Sequence, residues 1–114
     1  MDIDKIQNQL RLFASERDWE QFHSPKNLSM ALAGEAGELI EHFQWISEDA
    51  SYKLSETKLQ EVSEEIADVQ IYLLRLADIL KVDLESAIQE KILLNAKKYP
   101  ADKVRGSNKK YTEY

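Results

Sequence analysis

The chain has 114 residues, a length that suits one domain and can bury a core. Charged residues make up 32% of it, and it has three glycines and two prolines, a composition typical of a helical protein. A net charge of −6 argues against a general affinity for nucleic acid, and no apolar run is long enough to predict a membrane span. The lack of cysteine and of a signal-peptide pattern at the N-terminus favours the cytoplasm.

Apolar spacings of three and four residues predict an all-α chain with four helices, at about residues 4–17, 25–46, 56–80 and 84–99. The expected N-caps are Asp2 or Asp4, Ser24, Ser55 and Asp83. Pro25 suits the first position of the second helix, and Pro100 ends the fourth. Short connections between such helices favour a four-helix bundle.

The third helix is apolar on more than one side. Its main seam is formed by Leu59, Val62, Ile66, Val69, Leu73, Leu76 and Leu80. Ile71 and Leu74 lie on another side. A helix of this kind needs more than one neighbour, so we expect an interface between subunits.

The C-terminal end of the chain is basic and shows no apolar period. The cations that crowd it are Lys97, Lys98, Lys103, Arg105, Lys109 and Lys110. We therefore expect one domain over residues 1–100 and a polar, solvated tail over residues 101–114.

Two pairs of carboxylates lie beside these apolar stripes. Glu35 and Glu38 are three residues apart in the second helix, as are Glu65 and Asp68 in the third, so each pair shares a helix face. If the two helices pack antiparallel, the pairs face each other and repel. A hard divalent cation relieves that repulsion, and ligands that are all oxygen favour Mg²⁺ or Mn²⁺ over zinc or copper.

A magnesium site built on carboxylates usually serves a phosphate substrate. On the fourth helix, Lys91, Asn95 and Lys98 share a face that could supply charge and hydrogen bonds to the same phosphates. Gly34 and Gly37 flank Glu35, and glycine within a helix usually permits close approach of another helix or a ligand.

The loop before the second helix combines two aromatic rings with a histidine, at Trp19, Phe22 and His23. Its residues suit either a core anchor or a ligand contact. Trp45 and Tyr72 follow the acidic pairs at helical spacing, so they could reach the same cleft, although core packing is their usual role.

These residues resemble a known family. The spacing Glu-x-x-Glu, 26 intervening residues, then Glu-x-x-Asp is similar to that of the all-α MazG-type nucleoside triphosphate pyrophosphohydrolases. Three further segments look like the dCTP pyrophosphatase branch of that superfamily: residues 16–28, 43–45 and 95–100. The resemblance covers about residues 3–100.

The resemblance implies a tetramer, a dimer of dimers, that hydrolyses a nucleoside triphosphate to the monophosphate and pyrophosphate with Mg²⁺. The substrate would be dCTP or a modified pyrimidine nucleotide, and the role nucleotide-pool house-cleaning. By position, the metal ligands at the catalytic centre would be Glu35, Glu38, Glu65 and Asp68. The base and sugar pocket would be lined by Trp19, His23, Trp45 and Tyr72, and the phosphates would meet Lys91, Asn95 and Lys98.

One position departs from the family pattern, because this chain has Leu10 where vertebrate members carry a substrate-contacting histidine. Two other functions fit parts of this pattern. A phosphoribosyl-ATP pyrophosphohydrolase shares the acidic motif, and a helical oligomerisation module needs no catalytic acids. A di-iron bundle is disfavoured, because Glu35, Glu38 and Glu65 lack a histidine three residues on.

Overall fold

A computed structural model describes residues 1–107, and the last seven predicted tail residues lie outside that range. Residues 1–107 form helices and connections without a β-strand, which confirms the all-α prediction. The helices are α1 (Ile3–Glu16), α2 (Pro25–Glu41), α3 (Glu48–Ser51), α4 (Glu56–Ile79), α5 (Leu84–Lys98) and α6 (Ala101–Val104), with a 3₁₀ turn at Glu20–Phe22. None of the helices in residues 1–107 has the length and apolarity needed to span a bilayer.

The chain divides into two compact units, Met1–Lys81 and Val82–Tyr114. The first unit contains α1 to α4. The second contains α5 and the short helix α6, which lies within the predicted tail. The single domain predicted over residues 1–100 stays a prediction.

The four predicted helix starts are confirmed by side-chain caps. The side chains of Asp2, Ser24, Ser55 and Asp83 each accept a hydrogen bond from a backbone N–H in the first turn. Such a cap satisfies a donor that the helix itself leaves unpaired. Of the two candidates for α1, Asp2 is the cap.

The predicted end of the second helix was wrong, because α2 stops at Glu41 and not at Trp45 or Ile46. The backbone N–H groups of Phe43 and Gln44 both donate to the carbonyl of Ile40. This pairing converts the helix into successive turns, so Trp45 does not continue the face that carries Glu38. The polar connection predicted after it contains the single helical turn of α3, capped by Ser47.

The first unit is organised around α4, which packs against α2 and α1. His42 near the end of α2 lies beside Lys58 near the start of α4, whereas His23 before α2 contacts Arg75 near the end of α4. The helices α2 and α4 are therefore antiparallel, as the acidic pairs required.

The side-chain amide of Gln7 donates to the carbonyl of Leu74, and Arg11 pairs with Asp78 one turn further along both helices. Residue numbers rise together in these contacts, so α1 runs parallel to α4. Gln7 is buried, and its bond offsets the cost of burying its amide.

Only Val62 of the predicted seam is among the most buried apolar residues of the first unit. These residues are Ala14, Leu28, Val62, Leu74 and Ala77. Leu74 comes from the side of α4 that was assigned to a second neighbour, whereas Leu59, Ile66 and Leu80 of the seam are at least half exposed. These three seam positions are thus left largely uncovered.

Candidate functional site

Three of the four predicted metal ligands form a cluster between α2 and α4. Carboxylate oxygens of Glu35, Glu38 and Glu65 all lie within 4.8 Å of one another. Glu35 and Glu38 reach this point together because residues three apart share a helix face. Glu65 meets them because α4 runs antiparallel along that face. The cluster contains no histidine.

Burial and mutual repulsion favour the protonated, uncharged forms of Glu35 and Glu65. Burial, followed by the carboxylates of Glu38, Asp68 and Glu65, raises the pKa of Glu35 from 4.5 to about 7. Burial and the charge of Glu38 likewise raise the pKa of Glu65. Near neutral pH, the site therefore holds a proton that a bound cation would displace.

Two oxygens in the cluster have an unusual environment. Glu35 Oε2 and Glu65 Oε2 are buried and have no hydrogen-bond partner. Buried polar atoms are normally paired, so these two carboxylate oxygens are suited to accept a ligand. A hard divalent cation fits this oxygen-only set.

The two helical glycines are not needed for helix packing. A Cβ atom added at Gly34 or Gly37 would meet no atom within 4 Å. Close approach of α4 to these glycines is therefore not seen. Open space beside Glu35 is compatible with access for a ligand.

A pocket of about 220 Å³ opens beside the cluster. Its walls are formed by Leu10, Phe13, Trp19, His23, Glu35, Asp68, Ile71, Tyr72 and Arg75. Asp68 and Arg75 are two helical turns apart on α4, about 10 Å at 1.5 Å per residue. The pocket thus has an acidic end at Glu35 and Asp68 and a basic end at Arg75.

The predicted pocket residues Trp19, His23 and Tyr72 all line this space. The Trp19 ring meets the Phe13 ring edge to face, with centroids 5.7 Å apart, and meets the His23 ring at 6.4 Å. Trp19 remains 44% exposed, so its ring is held by neighbours without being sealed in the core. An aromatic ring held in this way can stack on a base.

Arg75 was missed by the sequence analysis. It is only 8% exposed, and its Nε donates to Nδ1 of His23 over 3.2 Å. Its Nη1 lies 3.6 Å from Asp78. Arg75 lies one helical turn after Tyr72 and two turns after Asp68, so its place on that face could have revealed it. Arginine on a helix is usually solvated, however.

Trp45 is not among the residues that line this pocket. It lies in the turns after α2 and is 86% exposed. Lys91, Asn95 and Lys98 lie on α5, in the second unit. The substrate-binding roles of these four residues stay predictions.

Comparison with known proteins identifies the family. The model of the MazG-like family matches residues 31–114, a range that includes all four predicted metal ligands. The chain belongs to the MazG-like family. The Trp19 loop lies before the matched range.

The MazG-like chain is also similar to individual proteins. It is 48% identical over 103 residues to dCTP pyrophosphatase 1 from Homo sapiens and to that from Mus musculus, a match that covers 89% of the chain. The chain spans about three fifths of the length of these relatives, or 61%. It shares its fold with a solved pyrophosphatase from Archaeoglobus fulgidus, with a TM-score of 0.82 and 40% identity over 88% of this chain and 94% of that one.

Proposed function

We propose that the chain is a divalent-cation-dependent nucleoside triphosphate pyrophosphohydrolase, which converts a pyrimidine deoxynucleoside triphosphate to its monophosphate and pyrophosphate. The observation that carries this proposal is the continuity of the pocket, which joins an aromatic wall at Trp19 and Tyr72 to the acidic end at Glu35 and Asp68. A nucleotide has the same polarity, with a stacking base at one end and phosphates at the other. The names of the dCTP pyrophosphatase relatives support dCTP as the first substrate to test.

The cation would be held by Glu35, Glu38, Glu65 and Asp68, and Mg²⁺ is the ion proposed, with Mn²⁺ as a substitute. When bound, it supplies positive charge against the negative charge that develops on phosphate oxygens. The carboxylates of this chain orient or deprotonate the attacking water. Trp19, His23 and Tyr72 hold the base and sugar, so that the triphosphate extends toward the acids.

The remaining predictions complete the proposal. Lys91, Asn95 and Lys98 on α5 would bind phosphates, and Trp45 would contact the base or sugar. The enzyme would act in the cytoplasm to control the nucleotide pool.

Exposed apolar residues support the proposed dimer of dimers. Within residues 1–107, they include Leu59 and Ile66 on α4, and Ile92, Leu93 and Leu94 on α5, each at least 48% exposed. Apolar side chains exposed in this number favour association.

A panel of triphosphates tests the proposed reaction. The purified protein is incubated with each natural deoxynucleoside triphosphate, 5-methyl-dCTP and phosphoribosyl-ATP, with Mg²⁺, Mn²⁺ or EDTA. We expect dCMP and pyrophosphate with Mg²⁺, no product with EDTA, and none from Glu38→Gln. Release of dCDP, or no hydrolysis of any substrate with either ion, would contradict the proposal.

A further inference from the structure

The contact between Arg75 and His23 fixes the chemical state of a pocket residue. Arg75 Nε donates to His23 Nδ1 over 3.2 Å. A guanidinium can only donate, so the nitrogen that faces it must carry a lone pair. A neutral imidazole has one N–H and one acceptor nitrogen, so the proton of His23 lies on Nε2.

The same contact keeps His23 neutral. Burial, followed by the positive charge of Arg75, lowers the pKa of His23. The other titratable groups that line the pocket are Glu35, Asp68 and Tyr72. Protonation of Nδ1 would place a second N–H against the guanidinium and break the hydrogen bond.

Arg75 is held in turn by a second pair of charges. Its Nη1 lies 3.6 Å from Asp78, which accepts two hydrogen bonds from Arg11 at 2.6 and 2.8 Å. These contacts run from α1 through α4 to the turn that carries His23. Because Asp78 has two cationic neighbours, it keeps a partner when Arg75 is replaced.

His23 and Arg75 line the end of the pocket away from Asp68, where the proposed function places the base. We propose that Arg75 is a positioning residue that holds His23 as a neutral Nε2–H donor for a ring carbonyl of a pyrimidine base. This inference rests on the proposed function and extends it to the atom of the base that His23 recognises. A pyrimidine nucleotide offers such an acceptor in O2, whereas adenine has no carbonyl.

Nuclear magnetic resonance tests the state of His23 without catalysis. The chain has two histidines, so a His42→Gln variant assigns the ring signals. Proton–nitrogen correlations are recorded at pH 8, above the usual histidine pKa of about 6.5, so that both rings are neutral. We expect the proton of His23 on Nε2 in the wild type and in Arg75→Lys, and a mixture of both tautomers in Arg75→Met.

Kinetics with dCTP and 2-thio-dCTP test the role of that proton, because sulfur is a weaker acceptor than oxygen. In the wild type, we expect the KM for 2-thio-dCTP to exceed that for dCTP by about 3- to 10-fold, as for one neutral hydrogen bond. This ratio should fall toward one in Arg75→Met, with kcat for dCTP less affected. Lys5→Met, which removes a charge from an exposed position on α1, should keep the wild-type ratio.

The outcomes separate this inference from the proposed function. A wild-type His23 that is protonated on Nδ1, or an Arg75→Met variant that keeps both the tautomer and the KM ratio, overturns the role of Arg75 while hydrolysis stands. If the wild type hydrolyses no triphosphate, the proposed function fails and the carbonyl contact fails with it. Circular dichroism of each variant shows whether it is folded. If Arg75→Met is not folded, Arg75→Gln repeats the test, because an amide can donate or accept and so does not fix the tautomer.

Discussion

Glu35 on α2 and Glu65 on α4 each bury one carboxylate oxygen without a hydrogen-bond partner, and their oxygens lie within 4.8 Å of each other. Two acids in this relationship oppose folding unless one is protonated or a cation lies between them. The chain thus contains a locally unfavourable arrangement within a well-capped helical frame. Such an arrangement is typical of a binding site rather than of a structural core.

The first prediction concerns the pH dependence of stability without metal. The pKa of the Glu35 carboxyl is about 7 in the folded chain. In the unfolded chain it takes the ordinary glutamate value of 4.5. Between these values the folded chain holds a proton that the unfolded chain releases, so the contribution of Glu35 to stability falls as pH rises from about 5 to 7. We expect thermal unfolding in EDTA to show this fall as the difference between the wild type and Glu35→Gln.

Mg²⁺ should reverse that trend, because the ion competes with the proton for the same oxygens. Its stabilising effect on the wild type should be larger at pH 8 than at pH 5 and absent in Glu35→Gln at both. An equal effect of Mg²⁺ at the two pH values would contradict the assignment of Glu35 as a ligand.

The second prediction separates stability from activity at the same residue. Glu35→Gln removes one of the facing charges, so in EDTA at pH 8 the variant should unfold at a higher temperature than the wild type. Its kcat for dCTP should fall by about 100-fold or more, as expected when a ligand is lost from the cation that stabilises transition-state charge. Glu64→Gln, at an exposed position of α4, is the matched control and should change neither quantity. A less stable Glu35→Gln variant would show that the carboxylate supports the fold.

Much of this site could be predicted because it depends on local spacing. Helix starts follow from a single capping side chain, and the pairing of Glu35 with Glu38 follows from the pitch of a helix. Antiparallel packing of α2 on α4 then brings Glu65 to them. The first two steps need only residues that are close in sequence.

One of the errors arises from local backbone pairing, and the others arise from contacts between distant segments. The end of α2 depends on which carbonyl the N–H groups of Phe43 and Gln44 select, and their sequence does not forbid a longer helix. Arg75 is buried because His23, 52 residues away in sequence, and Asp78 satisfy it. Leu74 is a core residue although the apolar period of α4 places it outside the main seam. Helical periodicity identifies an apolar side but not the neighbour that covers it.

The third prediction concerns Trp45. Because its side chain is 86% exposed, Trp45→Ala should change the free energy of unfolding by less than about 0.5 kcal/mol. If Trp45 contacts the nucleotide as proposed, the same variant should raise the KM for dCTP by about 10-fold, as for one lost base stack. Tyr52→Ala is the control, since Tyr52 is equally exposed at 87% and lies outside the proposed site. An unchanged KM would remove Trp45 from the substrate-binding residues.

The last prediction concerns the assembly. On α5, Ile92, Leu93 and Leu94 are 53%, 65% and 48% exposed, and three consecutive positions span more than half the circumference of a helix. A helix that is apolar on so many sides needs more than one neighbour, so we expect light scattering to give a tetramer at micromolar concentration. Leu93→Glu places a charge in that surface and should lower the mass, whereas Leu93→Met keeps its volume and apolarity and should leave the mass unchanged. The proposed interface is wrong if the wild type has the mass of a monomer. It does not involve α5 if the Leu93→Glu variant remains tetrameric.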